Sequence, residues 1–381
     1  MLKKWASQLE TVHRATTREE REAVYRFRYS VYSEEFGREL GSPDHERQWV
    51  TDDDDEKPYT TILYTGTPDR VTGTVRVRHW QAGEVPTYDF DELSMDQVPG
   101  VEQLNTAEIG RLMVRQSMRG KIIVASLLRE SYQVLAGEYA TDLTFCYCSP
   151  GLVRYYQQIA MRPFGGRPVA APDGIMLPMV SVMSDRAYYR AKRSFLTPLV
   201  RRFYGPGKNR VLDLEPFLEI FEPDRASIEY EPEKVWHETQ SFLLADERPA
   251  GAAQAIPATV FEGLARQGLI IDVPVGTLVT RRGFRERELY VVLEGRYELE
   301  ENSAAKAMER GDLFGEDGYL REDGRRVQSV RCTESGRLLI LRGRSMEKMT
   351  RREPQLAETL LGYLRELFSQ RTAGDEAVAA A

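Results

Sequence analysis

Cysteine is scarce in this chain. Three thiols in 381 residues, Cys146, Cys148 and Cys332, cannot build a disulfide framework, and the Cys-x-Cys pair has no second pair to complete a zinc site. Histidine is as thin: His13, His45, His79 and His237 stand far apart with no ligand spacing, so no metal is expected. No run approaches the roughly 18 apolar residues that a membrane span needs. The opening MLKKWASQLE follows its charges with no apolar stretch, so it does not read as a signal peptide, and a cytoplasmic location is the expectation. Cationic excess is missing as well: a formal charge of −7 argues against a nucleic-acid partner. Internal repeats and long low-complexity segments are absent.

What remains is the composition of a soluble globular protein, 41% hydrophobic and 29% charged. The length exceeds one ordinary domain, and changes in texture suggest four parts. Residues 1–184 alternate helical and strand-like patterns. Residues 185–255 form a basic, amphipathic connector that ends in the hinge-like ADERPAGAAQAIP. Residues 256–371 hold short β-type runs followed by helices, and residues 372–381 read as a disordered tail.

The most legible stretch is GDLFGEDGYLREDGRRVQSV, residues 311–330. In Phe314-Gly315-Glu316, a backbone without a side chain stands next to an acceptor-only carboxylate, so N–H groups can approach a phosphate while Glu316 accepts a ribose hydroxyl. Ten residues on, Arg326 offers a rigid fork of donors suited to phosphate oxygens. This spacing resembles the phosphate-binding cassette of cyclic-nucleotide-binding domains. Upstream, residues 269–300 alternate β-type runs with Gly276, Gly283 and Gly295 as that family's jelly-roll barrel does, and residues 345–368 resemble its C-terminal lid helices. The resemblance implies a nucleotide site made of Gly315, Glu316, Arg326, Val327 and Ser329, with cAMP or cGMP as effector. Val327 stands where the family often has Ser, Thr or Ala and offers no hydroxyl.

Nearer the start, Ala23, Val24, Phe27 and Val31 recur at helical spacing, with Arg26 and Arg28 on the other face. The acidic loop TDDDDEKP follows, and then two strand-like runs, YTTILYTG and RVTGTVRVRHW, joined by a turn at Thr67-Pro68-Asp69. Further on, NTAEIGRLMV leads through Arg119-Gly120 into a long helix, TDLTFCYCSP reads as a strand, and GLVRYYQQIAMRPFG reads as a short helix. A strand, a tight turn and a helix N-terminus can hold an anion such as coenzyme A pyrophosphate.

Over about residues 15–180 this order resembles the GNAT-fold acyltransferases, in particular the autoinducer-synthase and N-acyl amino acid synthase branch. The matching pieces are RFRYSVYSEEFG, Gly73-Thr74-Val75-Arg76 and Glu108-Ile109-Gly110-Arg111. The expected fold class is α+β: a GNAT-like mixed sheet with flanking helices, then a jelly-roll cyclic-nucleotide-binding barrel with C-terminal helices. Ile122 and Val124 replace two small residues of the usual glycine-rich turn, which leaves room for a donor longer than acetyl-CoA, on CoA or on an acyl carrier protein. No tryptophan follows the Arg-rich helix in the manner of the lactone synthases, which disfavours homoserine-lactone synthesis.

Acyl transfer from a thioester to an amine needs a base for the amine and a proton for the departing thiolate. Glu108, a carboxylate in mid-strand, is the candidate base, and its alternative role is a structural ion pair with Arg76 or Arg28. Arg111 lies three residues on and reaches the same side only through a bulge at Gly110. Tyr156 resembles the GNAT tyrosine that protonates the thiolate, and its alternative role is packing. Cys148 is a weaker candidate nucleophile without a nearby histidine. Arg28, Arg76, Arg111, Arg119 and Gly120 complete the expected substrate and acyl-donor site.

Eight Lys/Arg and no Asp/Glu fill residues 186–210, a surface suited to an acyl carrier protein or an anionic membrane. Packing onto another domain, with the charges in water, is the alternative. Oligomeric state is left open. Two rival functions fit the same sequence: a cyclic-nucleotide-regulated protein-lysine acetyltransferase, and a non-enzymatic cyclic-nucleotide-sensing adaptor.

Overall fold

The computed structural model describes residues 10–37, 43–116, 122–165, 168–171, 174–221, 228–244, 256–300 and 305–379. The chain falls into two compact units. Met1–Cys148, Val153–Gly166 and Pro178–Glu222 form one, and Ser149–Leu152, Arg167–Leu177 and Pro223–Ala381 the other.

The strands of the first sheet are β1 (Val12–Arg14), β2 (Thr60–Thr67), β3 (Arg70–Trp80), β4 (Thr106–Val114), β5 (Leu143–Cys148), β6 (Arg162–Pro163), β7 (Val169–Ala171) and β8 (Gly174–Val182). They run in the order β1-β2-β3-β4-β5-β8-β6, with β7 beside β8. The expected hairpin forms between β2 and β3, antiparallel from Thr60↔Arg78 to Thr67↔Arg70. At its turn Gly66 has φ +91°, and a Cβ there would lie 2.3 Å from the Arg70 carbonyl oxygen, so glycine is required.

The first unit's helices are α1 (Arg18–Tyr29), α2 (Thr87–Glu92), α3 (Ile123–Glu138), α4 (Val153–Gln158), α5 (Arg186–Ala191) and α6 (Thr197–Phe203). A capping box starts α1: the Thr17 hydroxyl accepts from Glu20 N at 3.2 Å, and the Glu20 carboxylate accepts from Thr17 N at 2.9 Å. Hydrogen bonds from the backbone amides of Thr17 and Thr16 outweigh burial and hold the Glu20 carboxyl at about 2. The expected face of α1, Ala23, Val24, Phe27 and Val31, is buried against Ile62, Tyr64, Val71 and Met113. A π-helical turn, Ser30–Glu35, continues it. Gly73 lets α3 approach β3, because a Cβ there would meet Ile123 Cγ2 at 2.8 Å.

The first part of the expected connector packs into the first unit. Tyr189, Leu196, Leu199, Val200 and Tyr204 are buried in one cluster with Leu127 and Leu135 of α3 and Val75 and Val77 of β3. Alternating basic and apolar residues therefore produce a packed inner face, while Arg186, Arg190, Arg193, Arg201 and Arg202 remain exposed.

The second unit holds β9 (Ile228–Glu229), α7 (Pro232–Leu244), α8 (Ala258–Ala265), β10 (Leu269–Val273), β11 (Leu278–Thr280), β12 (Leu289–Glu300), β13 (Ala305–Met308), β14 (Leu313–Phe314), α9 (Glu316–Leu320), β15 (Ser329–Leu341), α10 (Gly343–Arg352) and α11 (Pro354–Ala379). Its strands pair antiparallel in the order β13-β12-β15-β10-β9, with β11 on β15 and β14 on β12. Gly295, φ +84°, sits at the bulged middle of β12, where a Cβ would lie 2.6 Å from the Glu334 carbonyl oxygen. Leu360 and Leu364 of α11 share a core with Val291, Leu339 and Leu341. That helix runs on to Ala379 through the residues expected to be a disordered tail, a stretch rich in alanine and free of proline.

Candidate functional site

Strands β4 and β5 are parallel and pair only from Thr106↔Leu143 to Glu108↔Phe145. Beyond Glu108, β4 runs on to Val114 without a β5 partner among the described residues. Among the described residues, the fork leaves β4 from Ile109 to Met113 without a strand partner on its β5 side, and Glu108 stands at its apex. In the next three residues β4 bulges: its register with β3 shifts between Thr74 and Arg76, and Arg111 takes a left-handed φ of +54°. This is the bulge the sequence required for Glu108 and Arg111 to share a side, though the left-handed residue is Arg111 itself. Gly110 fits directly against the carboxylate, since a Cβ there would come within 2.3 Å of Glu108 Oε1.

Glu108 is 9% exposed and accepts from Arg78 Nε at 2.8 Å. Its ionic partner is therefore the cross-strand neighbour Arg78, not Arg76 or Arg28. Arg78 also meets Asp54 at 2.7 Å and Asp89 at 2.5 Å. Arg76 bonds Asp52 at 2.5 Å and lies 3.5 Å from Asp55. Arg111 reaches the other Asp52 oxygen at 2.5 Å and lies over the Tyr32 ring at 5.9 Å. Arg28 is fully buried and bonds Asp55, also fully buried, at 2.6 Å. Four guanidinium groups and five carboxylates thus form two ion-pair networks, one running Arg28–Asp55–Arg76–Asp52–Arg111 and one centred on Arg78.

Burial works to raise the Asp52 carboxyl, but Arg76 and Arg111 outweigh it and hold it at about 2. Burial likewise opposes ionisation of Asp55, and Arg28 and Arg76 prevail, so that its carboxyl is lowered too. For Asp89 burial wins over Arg78, and the carboxyl rises. The acidic loop, to which the sequence reading gave no role, supplies the carboxylates that fix Arg28, Arg76, Arg78 and Arg111.

Tyr156 lies on α4, and burial pushes its phenol well above its ordinary value, helped by nearby Cys146, Cys148, Tyr32 and Glu108. Its hydroxyl is held protonated, the state a proton donor needs. The Cys148 thiol is buried and donates to Met179 Sδ at 3.0 Å. Burial raises it far above its ordinary value, which disfavours the thiolate that a nucleophile requires. Arg119 and Gly120 lie outside the described residues. Among the described residues, no group of three His, Cys, Asp or Glu side chains has metal-binding geometry.

In the second unit the cassette residues converge. Gly315 has φ +92°, and its carbonyl accepts from Arg326 Nη1. Arg326, 2% exposed, also donates to the Glu288 carbonyl at 2.7 Å and to Asp317 Oδ1 at 3.1 Å, and it faces Glu286 at 3.7 Å. Val327 N donates to Asp317 Oδ2 at 2.6 Å. Ser329 begins β15, and its hydroxyl accepts from Arg282 N at 3.1 Å. Glu316, 1% exposed, accepts from Arg371 Nη1 of α11 at 2.6 Å. A second Arg371 nitrogen donates to the Leu313 carbonyl at 2.6 Å. Burial raises the Glu316 carboxyl despite Arg371.

A buried carboxylate-and-guanidinium array at a β4/β5 fork, and a glycine-glutamate-arginine cassette on an antiparallel barrel, define two classes of domain. Residues 23–183 match the family model of the N-acyl amino acid synthase FeeM, and residues 270–353 match that of the cyclic nucleotide-binding domain. The chain is an acyltransferase that carries a cyclic nucleotide-binding domain.

Among solved structures, FeeM from uncultured soil microbes is 13% identical, with 50% of this chain and 97% of that chain covered, at a TM-score of 0.38. The CoA-dependent acyl-homoserine lactone synthase BjaI, with SAM and isopentyl-CoA, is also 13% identical, covering 54% and 92% at 0.38. The regulatory domain of Toxoplasma gondii PKA with cAMP is 15% identical, covering 52% and 59% at 0.29. All three scores lie below 0.5, so the family models, and not these structures, identify the two domains. No curated protein matches the chain.

Proposed function

We propose that the chain is a cytoplasmic N-acyltransferase that moves an acyl group from an acyl thioester, on CoA or an acyl carrier protein, to an amine, and that a cyclic nucleotide regulates it. The observation that carries this reading is the position of Glu108 at the β4/β5 fork, beside the part of β4 that has no β5 partner among the described residues, and within electrostatic range of Tyr156. Glu108 removes a proton from the amine as its nitrogen attacks the thioester carbonyl. The tetrahedral adduct collapses, the C–S bond breaks, and the Tyr156 phenol returns a proton to the departing thiolate. Arg76 and Arg111, fixed by Asp52 and Asp55, orient the substrates, Arg28 braces Asp55 from within the core, and Arg119 and Gly120 belong to the donor's phosphate turn. The exposed guanidinium groups of α5 and α6 suit the acidic helices of a carrier protein, and an anionic membrane surface is the competing partner. Among the described residues no helix is long and apolar enough to cross a membrane.

Ile122 and Val124, in place of two small residues of the usual turn, favour a donor longer than acetyl-CoA; the apolar slot lined by Ile109, Leu128, Tyr132, Leu135, Ile159 and Met161 is narrow. It encloses about 20 Å³, room for little more than one water, and must widen to admit a chain. Thiol release measured with acetyl-, octanoyl- and hexadecanoyl-thioesters tests the donor. Faster turnover with the two longer chains is expected, whereas a clear preference for acetyl-CoA would favour the lysine-acetyltransferase reading.

The effector site is Gly315, Glu316, Arg326, Val327 and Ser329, and α11 is the element that could transmit occupancy, because its Arg371 holds the ribose-binding Glu316. Saturating cAMP or cGMP is expected to change the apparent affinity for acyl donor by about 5- to 150-fold. Arg371→Ala is expected to abolish that change while leaving basal transfer. Donor titrations with and without nucleotide decide it, and identical curves for the unmutated protein would turn the reading towards the adaptor.

A further inference from the structure

The barrel's anion-binding donors are already spent on a carboxylate of the same chain. Asp317 directly follows the cassette glutamate and is 4% exposed. Its Oδ1 accepts from Arg326 Nη1 at 3.1 Å and from Gly318 N at 2.7 Å, while its Oδ2 accepts from Val327 N at 2.6 Å. A guanidinium and two backbone amides thus converge on two oxygens that share one negative charge. The exocyclic oxygens of a cyclic phosphate also share one negative charge over two oxygens and make the same demand on donors.

Charge at the site is unfavourable to a second anion. Arg326 faces Asp317 and Glu286, two carboxylates against one guanidinium, and Arg371 is taken by Glu316. A phosphate entering beside Asp317 would place like charges together where little water screens them. Space is short as well: a Cβ on Gly315 or Gly318 would meet the Arg326 guanidinium within 3 Å.

We infer that Asp317 is a built-in competitor for the cyclic phosphate, a side chain that occupies the anion position of the cassette and must swing out before a nucleotide can bind. This rests on the reading of the barrel as a cyclic-nucleotide site and adds to it a device that sets the nucleotide's threshold. The apparent affinity of the unmutated protein falls by the fraction of molecules in which Asp317 has left.

The test uses the full chain and two variants, Asp317→Ala and Asp317→Asn, each checked for folding by circular dichroism. The Asn variant keeps the side chain's shape and one acceptor should the Ala variant fail to fold. Calorimetry with cAMP and with cGMP is expected to show each folded variant binding at least about 10-fold more tightly than the unmutated protein. Adding Arg326→Ala to either should remove the gain. In parallel, melting is followed in inorganic phosphate, which is expected to raise the midpoint of the variants and not that of the unmutated protein. If phosphate stabilises the variants but neither nucleotide binds any of them, Asp317 is the competitor and the cyclic-nucleotide reading fails. If nucleotide binds the unmutated protein as tightly as the variants, the site is real and the inference about Asp317 is overturned. Equal behaviour of all three proteins towards both phosphate and nucleotide also overturns it.

Discussion

Asp55→Ala is expected to destabilise the first unit by about 3–5 kcal/mol, the cost of leaving a buried charge without its partner. Arg28 and Asp55 are both fully buried and pair at 2.6 Å, and among the described residues Arg28 forms no second ion pair. Two further Arg28 nitrogens, Nε and Nη2, are buried without a hydrogen-bond acceptor. Removing Asp55 would therefore strand the whole guanidinium, and it would also take from Arg76 its second anion. Asp55→Asn keeps an acceptor and should cost less. Urea unfolding followed by tryptophan fluorescence measures both, since Trp49 and Trp80 lie in the first unit. A loss below about 1 kcal/mol for the Ala variant, the range of exposed pairs, would show that the pair is not desolvated as described.

The same pairs set an acid limit. The Asp52 carboxyl is held at about 2 and that of Asp55 is also lowered, against about 3.9 for an unfolded aspartate. A group with a depressed folded pKa contributes its full stability above the unfolded value and loses it as pH falls through the folded one. The first unit should therefore lose stability as pH drops from about 4 towards 2, and Asp52→Asn should flatten that slope.

Why these aspartates escaped a reading of the sequence is physical. A run of four aspartates and a glutamate is solvated by default, and nothing in Thr51–Pro58 itself reveals that three of the aspartates face arginines 24 to 59 residues away. A signal did exist in β3: Arg76 and Arg78 are two residues apart in a strand, so both face one side, and two cations on one side of a half-buried sheet demand anions. Arg28, Arg76, Glu108 and Arg111 were legible through resemblance, and the helical period of α1 and the hairpin through pattern alone. The connector was legible in part: packing with its charges in water was one of its two readings, but its apolar stripe is completed only by the neighbouring α3 and β3. In the barrel the Gly-Glu-Arg cassette was legible from spacing. Arg371 was not, since it sits 55 residues from Glu316, beyond the residues 345–368 that resemble lid helices, and neither was Asp317, whose partner Arg326 lies across a loop.

Glu108→Gln is expected to slow acyl transfer by about 100- to 10,000-fold, the range spanned by a general base, while the fold survives. The amide has the shape of the carboxylate and can still accept from Arg78 Nε, now at 2.8 Å from Glu108 Oε2. Arg78 keeps Asp54 and Asp89, so its charge stays countered when Glu108 loses its own. If the residue were only half of an ion pair, the substitution would shift the unfolding midpoint and leave kcat nearly intact. If it is the base, the midpoint should hold, kcat should collapse, KM should move little, and the ascending limb of the pH profile of kcat/KM should vanish. Tyr156→Phe offers the complementary reading at the other proton: a loss on the thiolate side should shrink for donors whose thiol is a better leaving group, whereas a packing role would affect all donors alike. Unchanged kcat in Glu108→Gln would remove the general base from the mechanism and leave the fork of β4 and β5 with a purely structural ion pair.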